Sequence, residues 1–261
     1  MAVKYVLSIA GSDSSAGAGI QSDLKTFHNH GVYGLTAITS ITAQNTQGVQ
    51  DAFELPPVVI LSQLKSLFAD FDIKYIKTGM LSSVKTVEAV YDFLKKKKSN
   101  IVVDPVILSK NNYPLLDRKG IEMLKAKLIP ISFLITPNIA EAEFISDWKI
   151  RTEEDIYIAA KVIHDMGVKN VLIKGGHLTK EMGLERGTDI LFDGKYFNYY
   201  SAEFVNTKNT HGIGCTFSAS VTANLALGKS LNNSIINAKK YITSSLTKTN
   251  KIGKGYGPVE Q

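Results

Sequence analysis

The 261 residues predict an α/β fold with a mainly parallel central sheet, helices on both of its faces, and a small β flap or edge hairpin. Two observations carry that expectation. Short apolar runs of strand length recur along the chain, and most are followed by a glycine- or carboxylate-bearing loop and then by apolar residues at helical spacing. Near the end, Asp193-Gly194 separates two extended runs and has the signature of a two-residue hairpin turn. Strand–helix alternation of this kind buries both faces of a parallel sheet. No linker, repeat or low-complexity stretch divides the sequence, so residues 1–261 are expected to form one domain.

The elements follow in order. Tyr5 to Ala10 is a strand that ends in GSDSSAGAG, and Ile20, Leu24 and Phe27 mark one face of a helix reaching about His30. Leu35 to Ala43 has β-branched strand character, AQNTQG follows, and Val49 to Leu55 is extended again, so this region is expected to form the flap. Pro56 to Phe68 reads as a helix, Ile73 to Lys77 as a strand ending in Thr78-Gly79-Met80, and Val84, Val87, Tyr91 and Leu94 as the next helix. Its end carries Lys95 to Lys98, which complement the helix dipole and face water; no interleaved aromatics make them a nucleic-acid patch. Ile101 to Val103 ends in Asp104-Pro105, and a helix is expected near Lys119 to Leu128. Phe133 to Ile135 leads into TPNIAEAE. Thr152 and Asp155 form a capping pair for a helix that Gly167 ends. Val171 to Ile173 ends in KGGH, Asp189 to Phe192 and Lys195 to Tyr200 make the hairpin, and helices over Thr216 to Leu227 and Leu231 to Lys248 complete the chain.

Bulk properties narrow the function classes. Apolar residues at 44% and charged residues at 21% describe a globular protein, and a net charge of +6 suits an anionic substrate without demanding one. A single cysteine excludes an intrachain disulfide framework and a cysteine-rich zinc site, which implies a reducing, cytoplasmic setting. The N-terminal apolar run is too short for a signal peptide, and no apolar stretch of about 18 residues follows, so neither secretion nor membrane insertion is expected.

Two nucleotide motifs fail on spacing. Gly17 and Gly19 begin a dinucleotide fingerprint, but Ser22 stands where its third glycine belongs. Gly228-Lys229-Ser230 ends like a phosphate-binding loop, yet Ala223 replaces its first glycine and the segment joins two helices. A different site is expected instead. In an open parallel sheet ligands bind beyond the carboxyl ends of the strands, and here those ends carry GSDSSAGAG, TGM, DP, TPNIAE and KGGH. The stretch NTHGIGCTFSA (Asn209 to Ala219) joins them. Its glycines precede a helix whose first N–H groups form an anion site, and the same field would lower the thiol pKa of Cys215 below its free value. Cysteine as a small buried apolar side chain, Asp104 as a turn residue and Glu141 as a helix cap are the competing structural readings.

Taken together, AGSDSSAGAGIQSDLKTF (Ala10 to Phe27), ITAQNT (Ile41 to Thr46), KTGML (Lys77 to Leu81), VDPV (Val103 to Val106), TPNIAEAE (Thr136 to Glu143), KGGH (Lys174 to His177) and THGIGCTFSA (Thr210 to Ala219) span nearly the whole chain. This pattern resembles the ribokinase-like superfamily, and within it the hydroxymethylpyrimidine and phosphomethylpyrimidine kinases of thiamine biosynthesis. The resemblance implies Mg-ATP-dependent phosphorylation of 4-amino-5-hydroxymethyl-2-methylpyrimidine and then of its monophosphate, by a protein commonly dimeric. It places Gly212, Ile213, Gly214 and Cys215 around the transferring phosphoryl, with the Cys215 sulfur taking the substrate hydroxyl proton. It places Gln44 on the aminopyrimidine edge, Met80 on the ring face, and Asp23, Gly11 and Ala18 in the same pocket. Asp104 and Glu141 would hold magnesium through water, and Lys174, Asn138, Glu141 and Thr210 would face ATP. Pyridoxal kinases of the same subgroup share the glycine loop, Met80 and the HGxGC segment; AQNT with Gln44, joined by KGGH, favours the pyrimidine. A non-catalytic pyrimidine-binding protein is the third reading, and it leaves Asp104, Glu141, Lys174 and Cys215 without a purpose.

Overall fold

The computed structural model describes residues 3–109, 113–176, 184–248 and 252–261. Its strands are β1 (Tyr5–Asp13), β2 (Tyr33–Asn45), β3 (Gly48–Glu54), β4 (Tyr75–Thr78), β5 (Asn100–Val103), β6 (Leu134–Ile135), β7 (Val171–Ile173), β8 (Asp189–Phe192) and β9 (Phe197–Tyr200). They form one sheet in the order β3-β2-β1-β4-β5-β6-β7-β8-β9. The run from β2 to β7 is parallel, while β3 at one edge and β8 and β9 at the other are antiparallel.

The helices are α1 (Gly19–Asn29), α2 (Pro57–Asp70), α3 (Val84–Leu94), α4 (Arg118–Met123), α5 (Ile139–Ser146), α6 (Glu153–Asp165), α7 (Ile213–Ala226) and α8 (Leu231–Thr247). Two of the apolar core clusters lie on opposite faces of the sheet. The larger joins Leu7, Ile9, Ile76, Val103 and Ile135 to α2, α3, α5 and α6, and the other joins Val102, Leu134, Leu172 and Leu191 to α7 and α8. Adjacent residues such as Val102 and Val103 thus bury opposite faces, each side chain contributing roughly 1.5–3 kcal/mol. Helix α7 is buried along every side from Thr216 to Ala226. Its serines, threonines and alanines are small enough to let it press close to α1, where Thr216 Oγ1 lies 2.9 Å from Ser22 Oγ.

Most expected elements occur where the apolar periodicity placed them, with instructive differences. Strand β1 continues past Ala10 to Asp13, so the glycine loop begins as extended backbone. The expected flap over Leu35 to Leu55 is a continuation of the main sheet, because β2 pairs with β1 before turning back into β3. The expected two-residue hairpin at Asp193-Gly194 is wider. Phe192 pairs with Phe197, and Asp193 Oδ1 accepts from the Lys195 and Tyr196 N–H groups, so the side chain shapes a four-residue loop. The helix expected near Lys119 to Leu128 begins at Arg118 and widens into a π turn over Leu124–Leu128. Lys95 to Lys98 are exposed, and Thr152 and Asp155 cap α6 reciprocally. Among the described residues no helix is long and apolar enough to cross a membrane.

Candidate active site

A cavity of about 650 Å³ opens at the carboxyl ends of the parallel strands. Every site residue expected from sequence lines it except Asp23. His177 lies outside the described residues.

The N-terminus of α7 closes one side. The helix starts three residues earlier than its apolar pattern indicated, with Gly212 as N-cap at φ 82°. A Cβ there would come within 1.8 Å of the Gly17 backbone oxygen, so two loops meet backbone to backbone. The first bond within the helix runs from Thr216 N–H to Gly212 O at 2.9 Å. The N–H groups of Ile213, Gly214 and Cys215 precede it and remain available to an anion.

The expected acid shift of Cys215 is overturned. Burial pushes its thiol up, to about 11; Lys77 opposes the rise, Asp104 and Asp23 add to it, and the Gly19 N–H bonds to the sulfur. The dipole of α7 therefore acts on a thiol whose desolvation and carboxylate neighbours weigh more. At neutral pH the sulfur carries its proton.

Beside the helix start, Lys174 Nζ lies 3.2 Å from Asp104 Oδ1, and Ser218 Oγ donates to Asp104 Oδ2 at 3.1 Å. Lys174 is held protonated: burial alone would lower its pKa, but Asp104 and Glu141 together raise it. Glu141 does cap α5. Its Oε2 accepts from the Asn138 N–H at 2.9 Å while Asn138 Oδ1 accepts from the Glu141 N–H. Capping leaves the carboxylate in the cavity wall. Burial raises its pKa, Lys174 lowers it, and Asp104 raises it again, so two carboxylates and one ammonium share this end. Among the described residues no group of three or more His, Cys, Asp or Glu side chains could hold a metal. The donor set nevertheless fits magnesium, a hard ion that takes one or two carboxylates and keeps the rest of its shell as water and phosphate oxygen. Thr210 adds a buried hydroxyl with no partner among the described residues, on the cavity wall.

Another part of the cavity wall is made of uncharged residues. Gly11, Ala18, Gln44 and Met80 line it together. The Met80 carbonyl accepts from Thr39 Oγ1 at 2.7 Å, and its sulfur lies 3.7 Å from Ser40 Oγ, which fixes the thioether as a wall. Asp13 organises the neighbouring loop. It accepts from the Ser15 N–H and hydroxyl, the Gly17 and Ala18 N–H groups, and His211 Nε2 at 2.7 Å. Burial would raise the Asp13 carboxyl, but the bonds from His211 and Ser15 outweigh it and hold it at about 2. The His211 ring lies over Gly17, where an added Cβ would fall 2.3 Å from His211 Cδ2.

Asp23 is the misplaced expectation. It is fully buried on α1, with both oxygens 2.8–2.9 Å from Lys77 Nζ and one accepting from Ser8 Oγ at 2.5 Å. It supports the site from beneath and touches no part of the cavity. Sequence reasoning also passed over Asp13, His211 and Lys77, and over the Lys239–Asp189 pair. That pair spans 2.7 Å in the cavity wall, where Asp189 Oδ1 also accepts from the Gly175 N–H.

A strand-end cavity that combines an anion-binding helix start, paired carboxylates, a lysine and an apolar ring pocket defines a small-molecule kinase of the ribokinase-like fold. The phosphomethylpyrimidine kinase pattern matches residues 13–260, and the chain belongs to that family. It is 46% identical over 258 residues to a hydroxymethylpyrimidine/phosphomethylpyrimidine kinase of Haemophilus influenzae, covering 98% of this chain and 96% of that one. The solved phosphomethylpyrimidine kinase of Clostridium difficile 630 is 41% identical with a TM-score of 0.81, covering 92% of this chain and 98% of that chain. The Staphylococcus aureus pyridoxal kinase in complex with AMP-PCP is 35% identical with a TM-score of 0.90, covering 100% and 94%. Backbone shape alone does not separate the two activities; sequence identity favours the pyrimidine kinases.

Proposed function

We propose that this kinase transfers the γ-phosphoryl of ATP to the hydroxymethyl group of 4-amino-5-hydroxymethyl-2-methylpyrimidine, and then phosphorylates the monophosphate to the diphosphate, in thiamine biosynthesis. The observation that carries the reading is one cavity holding both a ring pocket with Gln44 and Met80 and a phosphate end with the α7 start, Lys174, Asp104 and Glu141. The 261 residues act as one kinase domain in the cytoplasm.

Phosphoryl transfer has a loose transition state in which charge spreads over the equatorial oxygens, so oriented donors matter more than early proton removal. The Ile213, Gly214 and Cys215 N–H groups take those oxygens, and Lys174 neutralises the neighbouring phosphates. Thr210 and Asn138 lie along the nucleotide. Asp104 and Glu141 would hold magnesium through water, and the ion would supply charge neutralisation on the phosphates. Met80 packs on the ring face. Because Cys215 is a thiol at neutral pH, the hydroxyl proton leaves late, to the small fraction present as thiolate.

A homodimer accompanies this reading. Ile41 and Phe53 are cross-strand partners at the β2–β3 edge, exposed by 49% and 67%, and Val58 at the start of α2 is 71% exposed. Exposed apolar side chains of this kind suit a second copy of the chain; a single-chain mass in light scattering would refute it. The function itself is tested by coupled ATPase assays with hydroxymethylpyrimidine, its monophosphate and pyridoxal in parallel. Both pyrimidines should turn over well above pyridoxal. Preference for pyridoxal would replace the reading, and no turnover of any would favour a binding protein.

A further inference from the structure

The proton inventory on either side of Gln44 fixes the direction in which its carboxamide faces. On one side, His211 Nε2 lies 2.7 Å from Asp13 Oδ2 and 3.2 Å from the Gln44 amide. Asp13 is ionised, and a carboxylate only accepts, so Nε2 carries the proton. On the other side, Thr42 Oγ1 lies 3.0 Å from the Ser12 carbonyl and 3.1 Å from the Gln44 amide. The carbonyl also only accepts, so the single hydroxyl proton of Thr42 goes to Ser12, and the hydroxyl's lone pairs face Gln44. The one Nε2 proton of His211 is shared between Asp13 and Gln44, so Gln44 meets an N–H edge at His211 and an acceptor at Thr42. The structure places Gln44 Nε2 toward His211 and Oε1 toward Thr42, but the two ends of a carboxamide are nearly isosteric and hydrogen bonding decides between them, which here reverses that placement. Only oxygen toward His211 and nitrogen toward Thr42 satisfies both neighbours.

We propose that His211, held by Asp13, and Thr42, held by Ser12, are positioning residues that lock the polarity of Gln44 and so set which way round the substrate ring enters. This rests on the reading that Gln44 binds the aminopyrimidine. A 4-aminopyrimidine edge presents an amino donor beside a ring-nitrogen acceptor. The amino group then sits at the carboxamide oxygen on the His211 side, and the ring nitrogen at the N–H on the Thr42 side. The carbon bearing the hydroxymethyl neighbours the amino carbon, on the side away from that ring nitrogen. The locked polarity thus directs the hydroxymethyl toward the His211 end, where the next residue, Gly212, begins the anion loop. The opposite polarity would turn the alcohol away from the phosphoryl.

The test is the ratio of kcat/KM for the 4-amino substrate to that for its 4-oxo analogue, whose edge presents an acceptor beside an N–H donor. Wild type should prefer the amino ring, and His211→Gln, which offers an N–H at similar reach, should keep that preference. His211→Leu and the near-isosteric Thr42→Val should lower it by about tenfold, partly through gained turnover of the oxo ring, with KM for ATP unchanged. Equal losses on both rings would mean a merely structural role and overturn the inference. Gln44→Leu separates the two layers. If it leaves the preference intact, the role of Gln44 itself is wrong. If it abolishes the preference while His211→Leu and Thr42→Val retain it, only the polarity lock is wrong. Should His211→Leu fail to fold, Thr42→Val decides by the same ratio.

Discussion

Of the lysine–aspartate pairs at this cavity, one beneath it and one in its wall differ in how much bonding capacity is left over. Lys77 and Asp23 are sealed from solvent, with two short contacts between them and a third from Ser8. Burial alone would lower the Lys77 pKa, but Asp23 more than compensates and keeps it charged. Lys174 and Asp104 share a single 3.2 Å contact, and the lysine is 15% exposed to the cavity. Glu141 crowds the same ammonium, and Ser218 takes only one oxygen of Asp104. A saturated pair holds the fold in place; a loosely made pair beside a second carboxylate can redirect its charge to phosphate and metal.

The largest expected effect breaks the sealed pair. Lys77→Met should destabilise the protein by about 3–5 kcal/mol, because it strands the buried Asp23 carboxylate without its counter-charge, with only the Ser8 hydroxyl left to it. Chemical denaturation measures this, and adding Asp23→Leu should recover much of the loss. The second prediction reverses the pattern at the loose pair. Lys174→Met should leave the melting temperature close to wild type and lower turnover by about 10²–10³. A large stability loss with near-normal turnover would erase the distinction between the pairs. The smallest effect concerns the thiol that lies near both. Cys215→Ala should cost about 10² in turnover. The wild-type rate should climb with pH through the alkaline range, since thiolate accumulates only on approaching about 11, and the variant should lose that climb. A plateau near neutral pH would show an ionised sulfur instead.

The sequence made the alternation of strands and helices legible because burial on two faces imposes a local period. It also revealed the loops at the strand ends, whose glycines and carboxylates are dense. The polar pairs inside the site were harder. Asp13 and His211 are 198 positions apart and neither interrupts a pattern. Asp23 did carry a signal, since it lies at helical spacing between Ile20 and Phe27 on the buried face of α1. The protonation of Cys215 was beyond local reasoning: the helix dipole is visible in the sequence, but the carboxylates of Asp23 and Asp104 arrive from other elements.

The meeting of the two glycine loops sets different rules for sequence divergence. At Gly17 the obstacle to a side chain is the His211 ring, so a change there is conditional and a smaller residue at 211 would relieve it. At Gly212 the obstacle is the Gly17 carbonyl itself, which every amino acid carries. No second-site side-chain substitution can compensate. Position 17 is therefore open to epistatic rescue, whereas position 212 is closed to it, and suppressor screens should recover revertants of one and only true reversion of the other.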